Sequence, residues 1–251
     1  MQRTKSFLIA LGVVGFAVTG ASAADGLLTD AKEILKKADQ ATRKIQFASY
    51  NASYRCTGWL EERIPQVTGK AVVGPDGDYK VPRFFCEAIL KKKDSEETQK
   101  YTAGCNGDEY FLLDPKTKKA HHDIDPIVLG SASRDIQRLV LREFTSDEPF
   151  KDELEAEKVE LKGTRTIDGV LCYDIEVALD GTSPRAIVWT ISTNDFLPRG
   201  VKRIYPGREE GDADGTTEMT ISNLVAKTTM DKKAFEMVVP PGYTATNDFP
   251  E

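Results

Sequence analysis

Histidine is almost missing from this chain: its 251 residues include two, adjacent at His121 and His122. Neighbouring side chains on an extended segment point apart, and no other His or Cys group completes a site. His121, His122, Asp123 and Asp125 are therefore expected in a solvated loop, and no metal is assigned. The four cysteines contain no Cys-x-x-Cys pair, which disfavours a thiol oxidoreductase. There is no Gly-x-Ser-x-Gly elbow, no P-loop and no Gly-x-Gly-x-x-Gly turn. Acidic pairs such as Asp123 with Asp125, or Asp174 with Glu176, could in principle move protons, but a chain with 29% charged residues produces such pairs by composition. A hydrolase would need a nucleophile beside a base, and the sequence offers none. No catalytic residue or cofactor is assigned.

Long hydrophobic runs are also scarce. The one clear run, Phe7 to Val18, follows Arg3 and Lys5 and leads into Ala21-Ser22-Ala23. It is too short to span a bilayer and carries the three parts of a secretory signal. Residues 1–23 are expected to be a cleaved signal peptide, and 24–251 a single exported, periplasmic domain with enough chain for one sizeable core. No cysteine follows the cleavage site, which argues against N-terminal lipid modification. Acidic residues outnumber basic ones by 40 to 34, so the chain carries a net charge of -6, a sign that disfavours nucleic acid.

Periodicity gives the order of elements. Leu27, Ala31, Ile34, Leu35, Ala38, Ala41 and Ile45 recur at helical steps, with Thr29 or Asp30 available as a cap. The period then changes to two, because Tyr50, Ala52, Tyr54 and Cys56 alternate with polar residues. Strands are expected at 69–73, 83–92, 98–105 and 109–113, with turns at 74–77, Asn106-Gly107 and Asp114-Pro115. A second helix is expected from Ile127 to Phe144, where Leu129, Ala132, Ile136, Leu139, Val140 and Phe144 form an apolar stripe. A second run of strands begins near Leu154 and includes 170–179, 186–192, 197–205, 216–225 and 235–239, with a solvated acidic loop at 207–215. This order suggests an α+β fold in which two helices gather on the concave side of one strongly curved antiparallel sheet.

Four cysteines in an exported chain allow three complete pairings. A hairpin centred between Ser95 and Glu96 would set Cys86 opposite Cys105, the favoured bridge, while a Cys56 to Cys172 bridge would require a bulge. Buried free thiols are the alternative.

The stretches Trp189 to Ser192, Asp195-Phe-Leu-Pro-Arg199, Thr220 to Leu224 and Phe235 to Tyr243 resemble the end of the LolA/LolB-like family of bacterial lipoprotein carriers. The first helix running into Phe47 and Tyr50, the 69–73 strand and Cys105-Asn-Gly-Asp-Glu-Tyr-Phe-Leu-Leu-Asp-Pro115 extend the resemblance. It implies an incomplete β-barrel that holds acyl chains of a lipid or lipidated protein, with the two helices as a lid. The partners it implies are such a cargo and a membrane-anchored donor or acceptor, and a monomer is expected. On that layout Phe84, Leu90, Tyr101, Leu129, Ile136, Leu139, Val140, Trp189, Ile191, Met219 and Ile221 are the expected acyl-chain lining. Ordinary core packing is the competing reading at each of them. The family's carriers also hold the lid with an arginine on an early strand beside a proline; Arg83 is the nearest counterpart, but it follows Pro82 where the family has arginine first. RseB-like envelope sensors share the layout, which makes a regulatory domain that holds a partner protein the alternative function. Apolar burial alone could drive binding, because sixteen carbons at about 0.8 kcal/mol each release roughly 12 kcal/mol before association costs.

Overall fold

The computed structural model describes residues 26–77, 81–125, 127, 129–179, 183–209 and 211–248. The expected signal peptide lies outside them. No helix among the described residues is long and apolar enough to cross a membrane.

The first element among the described residues is helix α1 (Ala31–Thr42), whose first free amides, Lys32 N and Glu33 N, donate to the carboxylate of Asp30. Twelve strands then build one sheet: β1 (Phe47–Thr57), β2 (Gln66–Gly74), β3 (Arg83–Lys91), β4 (Thr98–Asn106), β5 (Tyr110–Asp114), β6 (Lys119–Asp123), β7 (Val159–Ile167), β8 (Val170–Ala178), β9 (Ala186–Ser192), β10 (Pro198–Tyr205), β11 (Gly215–Lys227) and β12 (Thr244–Thr246). Their order across the sheet is β12-β6-β5-β4-β3-β2-β1-β11-β10-β9-β8-β7. Every pairing is antiparallel except β12 with β6, and the sheet does not close on itself. β1 and β11, far apart in the chain, pair next to the middle of the sheet.

One face of the sheet is apolar and covered. It presents Ala48, Tyr50, Ala52 and Tyr54 from β1, Val67, Ala71 and Val73 from β2, and Phe84, Cys86, Ala88 and Leu90 from β3. Helix α1 covers this face at the β7–β9 end: Leu28 N donates to the Tyr173 hydroxyl on β8 and Lys32 Nζ donates to Ala156 O. Residues 129–155, which include helices α2 (Gly130–Ile136) and α3 (Lys151–Glu155), form a covering segment that starts over the β1–β5 end and reaches β9 with α3. Small side chains beneath it, Ala52, Ala71, Ala88 and Ala103, leave space for Ile136, Leu139 and Leu141 to approach the sheet. Gly69 belongs to the same row. A Cβ there would lie 2.0 Å from Glu87 O, so only glycine permits β2 and β3 to come this close where the sheet bends.

The expected 127–144 helix is broken in the structure. α2 ends at Ile136, Gln137–Leu139 and Arg142–Phe144 are single 3₁₀ turns, and Val140 and Leu141 between them are extended. The break has a tertiary cause. The Tyr50 hydroxyl inserts into it, donating to Leu139 O at 3.0 Å and accepting from Leu141 N at 2.9 Å. Other local expectations also change. Residues 151–155 are helical before β7 begins, and in place of a strand at 235–239 a 3₁₀ turn, Lys232–Phe235, is followed by irregular chain, with the last strand at β12. His121 and His122 sit on β6, where His121 is 1% exposed and its Nδ1–H donates to Asp248 O at 2.9 Å. His122 Nδ1 lies 2.8 Å from Glu109 Oε1 on the other face. In the acidic loop, Arg208 stands 4.5 Å over the Trp59 ring and Asp214 pairs with Arg185.

The β3–β4 register corrects the favoured bridge. Cys86 faces Ala103 and Phe84 faces Cys105, two residues out of step with the expected hairpin. The loop connecting them is centred one position earlier, with Asp94 at φ 57. All four cysteines are free and buried, and burial pushes each thiol upward, Cys105 to about 11. Alkylation without a reductant should therefore add four labels to the denatured protein and few to the native one; a bridged pair would leave two thiols unlabelled in the denatured state as well.

Candidate functional site

The expected lining residues fall into two groups. Phe84, Ile136, Leu139, Trp189 and Ile191 are fully buried, and Val140, Met219 and Ile221 are nearly so. They form a packed interior between the sheet, α1 and the covering segment. Leu90, Tyr101 and Leu129 instead border a cleft of about 460 Å³ between α2 and the ends of β3, β4 and β5. Leu112, Ile127 and Ala132 complete its apolar wall, and Lys92, Glu97, Asp114, Arg134 and Asp135 ring the opening. The cleft lies on the covered face, and its floor continues into the packed interior through Leu90, Leu112 and Leu129, each buried. At its lip Ile127 is 69% exposed and Ile124, three residues earlier, 79% exposed. Both aliphatic side chains stand in water, Ile127 on the wall of the cleft and Ile124 near it.

Local chemistry gives α2 little support of its own. It has seven residues, its N-cap Leu129 supplies no capping side chain, and its first turn has no acidic residue. The helix is held by burial of Ile136 and by Arg138, whose Nε donates to Asp135 Oδ1 and whose guanidinium lies 5.5 Å from the Tyr54 ring centre. The rest of the covering segment is held by the Tyr50 hydroxyl and by Arg43 Nη1, which donates to Asp147 O from the end of α1.

Arg83 makes different contacts. Its Nη1 donates to Pro75 O and Asp76 O and its Nε to Asn106 O, bracing the two loops at that end of the sheet. Asp76 N in turn donates to Thr145 O of the covering segment. Arg83 thus reaches that segment through the 75–76 backbone.

A second hollow lies on the opposite face and had no sequence signal. A groove of about 980 Å³ crosses β11, β1, β2, β3 and β4, with Asn51, Ser53, Thr68, Thr102 and Thr220 along its floor and Ile89 between them. Its walls are the β7–β8 turn at Ile167 and Asp168, and Pro240 and Tyr243 near the C-terminus. The turn is fixed in place because Asn223 N donates to Asp168 Oδ2. Alternation alone places Asn51, Ser53 and Thr68 on the face away from the core, but that the two ends of this face would be walled follows only from how the sheet coils.

No protein-family model matches the chain, and no curated protein matches it. Among solved structures, LprF from Mycobacterium bovis overlaps 85% of this chain and 97% of its own, at 12% identity and a TM-score of 0.49. The lipoprotein LppX from Mycobacterium tuberculosis overlaps 77% of this chain and 94% of its own, at 14% identity and a TM-score of 0.45. A LolA superfamily protein from Nitrosomonas europaea overlaps 84% of this chain and 98% of its own, at 13% identity and a TM-score of 0.31. Overlaps of this degree assign no function.

Proposed function

We propose that the protein is an exported, periplasmic carrier or binding protein that holds an acyl chain of a lipid or lipidated protein between the covering segment and the apolar face of the sheet. The cleft under α2 carries this reading: it is an opening onto that face, bordered by Leu90, Tyr101 and Leu129, with exposed aliphatic side chains at its lip. Its size falls within the range of small-molecule sites, about 300–1,000 Å³. The interior beyond it is filled by the chain's own side chains, so a long acyl tail would enter by displacing α2 and Leu129 from the sheet. Binding of this kind needs apolar area and a movable wall, and no catalytic group. Residues 1–23 would direct export, and 24–251 would act as one unit. Phe84, Ile136, Leu139, Val140, Trp189, Ile191, Met219 and Ile221 would meet the tail only in the opened form.

The test uses a pyrene-labelled phosphatidylcholine. The protein should bind it, and Ala132→Trp, which fills the cleft from its half-exposed wall, should weaken binding about tenfold or more with little change in stability. Absence of lipid from organic extracts of gently purified protein, together with no probe binding, would overturn the reading.

A second reading, a regulatory domain that holds a partner protein, is favoured by the groove on the opposite face. Recovery of a membrane-anchored regulator in place of lipoproteins after cross-linking in the cell envelope would establish it over the carrier.

A further inference from the structure

Where the covering segment meets β9 and β10, two carboxylates share one arginine. Glu143 is 8% exposed; its Oε1 lies 3.9 Å from Arg203 Nη2 and its Oε2 has no hydrogen-bond partner among the described residues. Glu153, on α3, is 7% exposed and its Oε1 accepts from Trp189 Nε1 at 2.9 Å. Arg203 favours the ionised form of both, and the charge on Glu153 disfavours ionisation of Glu143. The other groups facing Glu143 are Arg142 of its own turn and the phenol of Tyr50 from β1, and Asp152 of α3 acts on Glu153. With one proton on the two carboxylates, the charge is balanced by Arg203. With none, both negative charges are buried beneath the covering segment against Arg203, and the other cation that faces Glu143, Arg142, is itself exposed.

We propose that Glu143, Glu153 and Arg203 form a proton-operated latch on the covering segment, closed while the two carboxylates hold a proton and loosened when both ionise. The latch rests on the carrier reading only for its purpose, which would be to couple acyl entry to pH; its operation is a property of the closed fold. Burial, the leading cause, pushes Glu143 up to about 7 and Glu153 upward as well. Opening returns the groups to water, where a carboxyl titrates near 4.5. An acid raised in the closed form favours closure in full below that ordinary value, and the preference is lost as pH rises through the raised one. The segment should therefore be tight at pH 5 and loosen toward pH 8.

Hydrogen exchange of residues 139–155, corrected for the intrinsic pH dependence of exchange, reads the latch without any lipid. Between pH 5.5 and 8.0 the wild-type protection should fall on the order of tenfold or more. Glu143→Gln, which keeps the shape and cannot ionise, should flatten that slope to within about twofold, and Glu153→Gln should reduce it. Circular dichroism of each variant checks folding, and Glu153→Gln serves as the test should Glu143→Gln not fold. A wild-type profile without pH dependence, or variants that keep the full slope, would overturn the latch. Uptake of the zwitterionic phosphatidylcholine probe, measured in parallel, should follow the same pH profile. A latch that operates in a protein that binds no lipid at either pH would leave the latch standing and remove the carrier reading.

Discussion

Trp189→Ala is expected to lower stability by about 4–8 kcal/mol, more than truncation of any smaller side chain of the core. The indole is wholly buried, stands edge-on to Phe150 at 5.0 Å between ring centres and donates to Glu153. Truncating a buried Trp costs about 3–5 kcal/mol through the cavity it leaves. Loss of its N–H leaves a buried carboxylate oxygen without that donor, which adds about 1–3 kcal/mol. Urea unfolding followed by far-UV circular dichroism measures the total, and Trp189→Phe separates the parts, since it retains most of the ring and removes only the donor. The deficit of Trp189→Phe should grow with pH. Burial already raises Glu153 and the indole hydrogen bond counteracts that rise, so without it ionisation in the folded state becomes costlier from pH 5 upward. A deficit that stays constant from pH 5 to 8 would show that the Trp189 to Glu153 bond has no role in holding α3.

Tyr50→Phe should cost about 2–3 kcal/mol and at the same time accelerate lipid uptake. No packing is lost, and the ring remains 6.0 Å from Phe144. What goes is a hydroxyl that satisfies both backbone groups exposed by the break in the covering segment, Leu139 O and Leu141 N. Both groups are rehydrated once the segment lifts, so the penalty falls on the closed form. A bias of about 1.4 kcal/mol against the closed form is tenfold in its population relative to the open one, so uptake of the phosphatidylcholine probe should speed up about tenfold or more. Stopped-flow fluorescence measures this. A variant that is less stable yet takes up probe at the wild-type rate would place the entrance elsewhere than under this segment.

The two variants probe separate anchors. Tyr50 holds the middle of the covering segment to β1, whereas Trp189 and Glu153 hold its end to β9. Ala132→Trp acts at the cleft itself, and Glu143→Gln acts on the response to pH. A carrier of the proposed kind predicts opposite signs for plugging the cleft and for freeing the segment that covers it.

Alternation of apolar and polar residues made the covered face of β1, β3 and β8 readable, and helical spacing did the same for α1 with its Asp30 cap. Turn chemistry was equally local. Asn106 accepts from Asp108 N and Glu109 N, and Asp168 and Gly169 both adopt positive φ in the β7–β8 turn. Leu90, Tyr101 and Leu129 were legible as apolar residues, and they border the cleft. The apolar stripe of 129–144 was legible too, though not its conformation.

What the sequence determined by itself is therefore which face of each segment avoids water, since that depends only on residues a few positions apart. Tertiary structure decided the rest. A two-residue slip of β4 against β3 leaves every side chain on its own face, so alternation could not distinguish Cys105 opposite Cys86 from Cys105 opposite Phe84. A hydroxyl 89 residues away in sequence broke the second helix. Two glutamates ten residues apart became neighbours of an arginine on β10 because the segment folded back over the sheet. Each of these depends on groups distant in the chain, whose free energies of contact have no counterpart in local periodicity.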